Sequence, residues 1–135
     1  MIPKTPLLTV DCVVFSKNRV LLIKRMNEPF KGMHALPGGF VDVGETVEKA
    51  CVRETFEETG IKISKLRLVG VYSDPKRDPR GHSVTIAFMA EVKNQKPKAG
   101  DDALEAEFMD WKKIKLGFDH RKIIENALKI RLKRR

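Results

Sequence analysis

Three glutamates near the end of one predicted helix constrain this chain more than any other feature. Residues 46–59 have the spacing of a helix, and Gly60 follows at the position where helices often end in the left-handed conformation. At about 100° per residue, Glu54, Glu57 and Glu58 lie on one face of that helix. Like charges at this spacing destabilise a helix by roughly 0.2–0.5 kcal/mol per pair. A bound cation would reverse the sign of that interaction, whereas a solvated acidic face is the ordinary alternative.

The loop before this helix favours the cation. Gly38 and Gly39 are adjacent glycines, which let the backbone approach a ligand or an ion closely. Carboxylates beside a backbone-rich loop form a hard-oxygen site that suits Mg²⁺ or Mn²⁺. The chain shows no cluster of His and Cys, which argues against zinc. The sequence therefore predicts a site for a hard divalent cation.

The spacing of residues 39–61 resembles the signature of the Nudix hydrolases, G-x5-E-x7-R-E-U-x-E-E-x-G-U. The matching fixed positions are Gly39, Glu45, Arg53, Glu54, Glu57, Glu58 and Gly60. Of the two bulky aliphatic positions, the last is Ile61, whereas the earlier one is Thr55, a small departure. Chance agreement at so many fixed positions is negligible, so the chain is identified as a member of this family. The resemblance implies an α/β class, an α/β/α sandwich with a mixed sheet in which the signature forms a loop-helix-loop, built as a single domain over residues 1–135.

The resemblance also implies roles for the signature residues. Family members hydrolyse the pyrophosphate of a nucleoside diphosphate linked to another moiety, with Mg²⁺ as the cofactor and Mn²⁺ as a possible substitute. The implied metal ligands are Glu54, Glu57, Glu58 and the carbonyl of Gly38. Glu45 and Arg53 are expected to brace the loop-helix-loop by pairing with each other, which suits a bidentate Arg–Glu contact. The general base stays open among Glu54, Glu58 and Glu105, the last from an acidic loop outside the signature.

The substrate has to be inferred from residues outside the signature. Residues 72–82 resemble a segment of the ADP-ribose pyrophosphatases, in which a proline lies about fifteen residues beyond the signature; here Pro75 lies fourteen residues after Ile61. We therefore expect hydrolysis of ADP-ribose to AMP and ribose 5-phosphate. The predicted substrate-binding residues are Arg25, Gly38, Gly39, Tyr72, Arg77, Arg80 and His82, with the arginines meeting phosphate and Tyr72 or His82 meeting the nucleoside. A rigid surface turn with solvated charges is the alternative for this loop.

Other functions fit the same signature. The open alternatives are hydrolysis of oxidised nucleoside triphosphates, hydrolysis of diadenosine polyphosphates or RNA 5′ ends, and a non-catalytic module that senses ADP-ribose. Because sensors of this kind usually lose acids from the signature and this chain keeps them, we favour an enzyme. Related ADP-ribose enzymes are often dimers, so the resemblance also predicts a homodimer.

Composition bounds the class of protein. The chain has 135 residues, of which 41% are hydrophobic, enough for one compact domain with a sizeable core. No apolar run is long enough to cross a membrane, and the N-terminus does not resemble a signal peptide. Cys12 and Cys51 lie in apolar patterns, which predicts buried reduced thiols. We therefore expect a cytoplasmic protein.

The net charge of +9 is concentrated at one end of the chain. From Trp111 onward, ten Lys or Arg residues accompany two acidic residues. Apolar residues recur between these bases at helical spacing, which predicts an amphipathic surface helix beginning near Asp119. Attachment to nucleic acid or an anionic surface is the alternative, and we expect no nucleic acid partner.

Hydrophobic periodicity predicts the remaining elements. Residues 7–15 and 19–23 read as a hairpin, and further strands are expected at 66–72, 83–92 and 107–111. Loops are expected at 26–39 and 93–102.

Overall fold

The structure is a computed structural model that describes residues 1–100 and 102–133. A mixed β-sheet lies between two helices, in the order β1 (Leu7–Ser16), β2 (Arg19–Arg25), β3 (His34–Ala35), β4 (Gly38–Phe40), α1 (Val47–Thr59), β5 (Arg67–Tyr72), β6 (Ser83–Glu91), β7 (Ala103–Met109), a 3-10 turn (Trp111–Lys113) and α2 (His120–Lys133). The predicted α/β sandwich with a mixed sheet is confirmed.

β1 is the centre of the sheet. The strands follow the order β3-β2-β1-β6-β5, with β4 also paired to β1 and β7 also paired to β2. β1 and β6 run parallel, from Leu7 opposite Ser83 to Phe15 opposite Glu91, while β2 and β4 pair with β1 in the antiparallel sense. This arrangement brings the glycine loop alongside the middle of β1.

The alternation of β1 divides the core into two layers. Val13 and Phe15 belong to the layer that contains Ile123 and Ile124 of α2. Residues at the intervening positions, such as Cys12, pack in the other layer against α1, because successive side chains of a strand point to opposite faces. Both cysteines are buried and free, as predicted.

The helix α1 has specific caps at both ends. Thr46 is its N-cap and accepts a hydrogen bond from the Lys49 N–H at 3.1 Å. Gly60 ends the helix with φ of 70°, a conformation that costs glycine least. The predicted helix at 46–59 is therefore correct to within one residue.

Several boundaries differ from the prediction, and β2 continues two residues past its expected end at residue 23. The expected loop at 26–39 contains β3 and β4, and the last strand begins at Ala103 instead of residue 107 because it pairs with β2 as far as Arg25. Trp111 belongs to the 3-10 turn and not to that strand.

Helix α2 begins at His120, directly after Asp119, whose carboxylate accepts hydrogen bonds from Arg77. In the described part of the chain, no helix is long and apolar enough to span a membrane.

Candidate active site

The ends of α1, β4 and the segment before α2 surround one large cleft. Its volume is about 920 Å³. Gly38 and Gly39 contribute to its wall, and the side chains that line it include Thr9, Asp11, Arg25, Glu54, Glu57, Glu58, Arg77, Arg80, Asp102, Phe118 and His120. The three signature glutamates therefore share a cavity with residues from several other parts of the chain.

Arg53 joins the signature loop to the signature helix. Its Nε and Nη2 donate to the two oxygens of Glu45 at 2.7 and 2.9 Å, and Nη2 also donates to the carbonyl of Phe40 at 3.0 Å. Its Nη1 donates to Glu54 at 2.7 Å and to Glu57 at 3.2 Å. The hydrogen bond from Arg53 lowers the pKa of Glu45 to about 2, so this carboxylate is ionised at neutral pH.

Glu58 lies deepest of the three glutamates. The N–H of Gly38 donates to its Oε1 at 2.7 Å. Burial, and to a smaller extent the charges of Glu54 and Asp11, raise the pKa of Glu58 to about 8 despite that hydrogen bond. Burial also raises the pKa of Glu54, against the effect of its Arg53 contact. The cleft therefore places the mostly buried carboxyl of Glu58 beside the negative charges of Glu54 and Asp11.

Gly39 is placed where a side chain would displace a signature glutamate. A Cβ at this position would overlap the carboxylate of Glu54. The second glycine of the loop thus leaves room for the Glu54 carboxylate in its present position, and it does not serve a left-handed turn.

The donor atoms suit a hard divalent cation in kind. Carboxylate oxygens of Glu54, Glu57 and Glu58 line one wall of the cleft beside the backbone of Gly38. Over residues 1–100 and 102–133, however, no three His, Cys, Asp or Glu side chains stand together in an arrangement that could hold a metal ion. Arg53 hydrogen-bonds two of the carboxylates. A cation would therefore have to compete with this guanidinium for Glu54 and Glu57.

A buried polar cluster forms another wall of the cleft. The guanidinium of Arg77 pairs with both oxygens of Asp119, at 2.9 and 2.7 Å, and donates to Thr85 at 2.7 Å. Asp11 lies 3.2 Å from Nε2 of His120. Two of these residues, Asp11 and His120, line the cleft, and Asp119 reaches it only through Arg77. None of the three was predicted at the site, since they come from β1 and from the start of α2, far from the signature.

Arg25 and Arg80 approach one aromatic ring from the cleft. Their guanidinium carbons lie 5.1 and 5.8 Å from the centroid of Phe118. Arg80 pairs with Asp78 at 2.9 Å, whereas Arg25 donates through Nε to the carbonyl of Pro29 at 2.6 Å. Burial and the nearby charge of Arg80 lower the pKa of Arg25. Among the described residues, no carboxylate pairs with Arg25, so its guanidinium is available to an anion in the cleft.

Several predicted substrate contacts lie elsewhere or are already occupied. The Tyr72 hydroxyl accepts a hydrogen bond from Asn126 of α2 at 2.7 Å, and His82 hydrogen-bonds the carbonyl of Ser73 at 3.0 Å; neither residue lines the cleft. Arg77 lines the cleft, but its side chain is only 6% exposed and is paired with Asp119. Tyr72 and His82 are therefore not placed to meet a nucleoside in this cleft.

The acidic segment that was expected to supply Glu105 contributes a different residue to the cleft. Glu105 lies on β7 opposite Lys24, its side chain 54% exposed and 3.9 Å from that ammonium, and it does not line the cleft. Asp102 lines the cleft instead. Strand β7 begins at Ala103, so the pleat directs Glu105 to its strand partner instead of the cavity.

The fold is a mixed sheet between two helices, and the carboxylate cleft lies where the signature helix ends. Fold and cleft together are those of the class of hydrolases that the signature indicated. The family model for the NUDIX domain matches residues 5–127, and the chain belongs to the Nudix family. The identification made from the signature as a Nudix hydrolase is confirmed.

Two relatives and one solved structure show what the chain is similar to. An ADP-ribose pyrophosphatase of Methanocaldococcus jannaschii is 54% identical over 92% of this chain and 74% of the relative. The ADPR responsive transcriptional repressor NtrR of Acinetobacter baylyi is 38% identical, and the alignment spans 91% of this chain and about half, 53%, of the repressor. The NUDIX domain of Shewanella oneidensis NrtR, solved in complex with ADP ribose, superposes with a TM-score of 0.88 at 32% identity, covering 93% of this chain and 88% of that one.

Proposed function

We propose that this chain is an ADP-ribose pyrophosphatase that depends on a divalent metal and releases AMP and ribose 5-phosphate. The observation that carries the substrate assignment is the similarity to the archaeal ADP-ribose pyrophosphatase, which extends over most of both chains. The cleft supports the reaction class, because it combines buried carboxylates with an arginine that has no carboxylate partner among the described residues.

Glu54, Glu57 and Glu58, with the carbonyl of Gly38, are the proposed ligands of Mg²⁺, and Mn²⁺ is the expected substitute. The unfavourable burial of Glu58 beside Glu54 and Asp11 supports this assignment, since a cation would stabilise the ionised forms of these carboxyls. When bound, the metal supplies positive charge to the diphosphate and lowers the pKa of water.

The residues of the chain supply orientation and a proton acceptor. We assign Arg25 to the diphosphate, because guanidinium groups bind phosphate oxygens in a bidentate manner. Water forms a new O–P bond, the bridging P–O bond breaks, and a carboxylate takes the proton from the water. Glu54 and Glu58 both line the cleft and remain the candidates for this base, whereas Glu105 lies outside it.

The dimer, the cytoplasmic location and the single domain over residues 1–135 stay predictions from the sequence. Size-exclusion chromatography with light scattering tests the first of them. An elution at the mass of one chain at micromolar concentration would contradict the homodimer.

A substrate panel tests the proposed function. ADP-ribose, NADH, diadenosine polyphosphates and nucleoside triphosphates are incubated with Mg²⁺, and products are identified by chromatography. We expect ADP-ribose to give AMP and ribose 5-phosphate with the highest kcat/KM. Faster turnover of triphosphates to monophosphate and pyrophosphate would refute the substrate, and tight binding of ADP-ribose without turnover would favour the sensing module.

The variant Glu58→Gln tests the role of the deepest glutamate in the same assay. We expect kcat to fall at least about 100-fold, or roughly 2.7 kcal/mol in activation free energy. Lys122→Gln is the control, because Lys122 is exposed on α2 away from the cleft lining. Turnover close to that of the wild type in Glu58→Gln would contradict the assignment.

A further inference from the structure

Two consecutive residues, Asp119 directly before α2 and His120 at its start, contact two different loops of the cleft lining. His120 is 4% exposed, and its Nδ1 accepts a hydrogen bond from the backbone N–H of Leu36 at 3.0 Å. Asp119 holds the guanidinium of Arg77 through both carboxylate oxygens. Leu36 precedes the glycines of the signature, whereas Arg77 belongs to the segment 73–82 between β5 and β6. The dipeptide therefore connects the two loops of the cleft.

The His120 contact leads directly to a signature glutamate. Two residues after Leu36, the N–H of Gly38 donates to Glu58 at 2.7 Å. The segment before α2 also hydrogen-bonds the backbone just before Leu36. The His34 N–H donates to the Lys115 carbonyl at 3.3 Å, and the Gly117 N–H donates to the His34 carbonyl at 2.9 Å. Any shift of Leu36 would therefore move the backbone that holds the Glu58 carboxylate.

The hydrogen bonds determine the tautomer of His120. Because Nδ1 accepts from a backbone N–H, it carries no proton, and Nε2 carries the proton instead. Nε2 lies 3.2 Å from Asp11 Oδ2, so the ring donates to that carboxylate. His120 thus has two distinct contacts, one from each ring nitrogen.

The Asp119 contact holds the other loop. Arg77 has a side chain only 6% exposed, and its Nη1 donates to Thr85 at 2.7 Å and to Ser83 at 3.4 Å. Its Nη2 also lies 4.0 Å from Oδ2 of Asp11, the carboxylate that His120 contacts. A bidentate guanidinium–carboxylate pair resists both sliding and rotation. Asp119 therefore sets where residues 73–82 lie above the cleft.

We propose that Asp119 and His120 are positioning residues for the two loops: His120 orients the loop that holds Glu58, and Asp119 orients the segment that carries Arg77 and Arg80 to the cleft lining. The expected changes in kcat and KM rest on the proposed function. Hydrogen exchange of the Leu36 amide tests the His120 contact without any substrate. Loss of the His120 contact should affect kcat, and loss of the Asp119 contact should affect KM.

Two amide variants separate the contacts of His120. In His120→Asn the side-chain oxygen is as many bonds from Cα as Nδ1, so the acceptor for Leu36 is retained while the contact with Asp11 is lost. In His120→Gln the terminal amide reaches the position of Nε2, so the contact with Asp11 is retained while the acceptor is lost. Hydrogen exchange of the Leu36 amide, normalised to a core amide such as Val13, reports the first contact directly.

We expect His120→Gln to increase exchange of the Leu36 amide and to lower kcat, each at least tenfold, with KM within threefold of the wild type. His120→Asn should retain the protection of the Leu36 amide and have a kcat closer to that of the wild type than His120→Gln has. Asp119→Asn should leave Leu36 protected and kcat within threefold, but raise KM at least tenfold. Lys122→Gln, an exposed change on the same helix, should match the wild type in all three measurements.

Specific results overturn the inference. Equal losses in His120→Asn and His120→Gln, or unchanged exchange at Leu36 in His120→Gln, would show that His120 acts only in packing. For Asp119→Asn, a fall of kcat and kcat/KM in proportion to the folded fraction, with KM unchanged, would show that Asp119 acts only in folding. If His120→Gln does not fold, His120→Asn still tests the His120 contact, since loss of Leu36 protection in that variant would contradict it, and Asp119→Asn tests the other loop through its KM. If ADP-ribose is not hydrolysed by the wild type, the proposed substrate fails while the exchange experiment still tests the His120 contact.

Discussion

Replacing Glu58 with glutamine removes a carboxyl group whose ionisation the folded protein opposes. The pKa of Glu58 is raised from 4.5 to about 8, first by burial and then by the charges of Glu54 and Asp11, against the hydrogen bond from Gly38. The native state therefore binds this proton more tightly than the unfolded chain does. Glu58→Gln keeps a neutral group of similar shape and removes the titration.

The sign of the effect follows from linkage. Stability from Glu58 is fully present below pH of about 4.5 and is lost progressively as the pH rises through about 8. At about 1.4 kcal/mol per pKa unit, this separation sets an upper bound of ~5 kcal/mol on the loss. Residual contact with water in the open cleft brings the expected loss to about 2–4 kcal/mol.

Urea denaturation in the presence of EDTA measures this loss between pH 5 and pH 9. The free energy of unfolding of Glu58→Gln, relative to that of the wild type, should rise by about 2–4 kcal/mol over this range. Glu57→Gln is the matched control on the same helix, since its side chain is 54% exposed, and its relative stability should change by no more than about 0.5 kcal/mol. Saturating Mg²⁺ should stabilise the wild type at pH 9 and stabilise Glu58→Gln much less. Parallel pH curves for the wild type and Glu58→Gln would refute the reasoning.

Three further variants test the other parts of the site. Arg53→Lys loses the bidentate contact with Glu45, so urea denaturation should show a lower midpoint than that of the wild type, and an unchanged midpoint would contradict the bracing role. Gly39→Ala places a Cβ against Glu54, so kcat should fall at least about tenfold while circular dichroism shows a retained fold; full activity would mean that Glu54 moves freely. Glu105→Gln should leave kcat within about threefold, because this carboxylate lies outside the cleft, and a hundredfold loss would restore it as the general base.

Local patterns predicted the larger elements of the fold well. The caps of α1 and the apolar runs of β1 and β2 depend on residues close together in the chain, so the helix and the hairpin appeared at nearly the observed positions. The strands β3 and β4 have two and three residues and carry no measurable periodicity. They exist because β2 and β1 offer backbone partners, which a local pattern does not contain.

In the candidate site, too, local sequence patterns did not predict which residues distant in the chain come together. Tyr72 and His82 were expected at the substrate because they flank a basic loop, yet one faces α2 and the other bonds its own loop. Conversely, Asp11 and His120 are 109 positions apart and meet only where β1 passes the start of α2. No spacing rule relates residues so far apart.

By itself, the sequence determined the family and the acidic face of α1, because spacings of three and four residues place Glu54, Glu57 and Glu58 together in any helix. Only the tertiary structure decided how these carboxylates differ. Their helical positions are equivalent, but burial beside β1 raises the pKa of Glu58, while Glu57 remains half exposed. The physical reason is that the free energy of a charge depends on the solvent and the charges around it, and these are set by packing between distant segments.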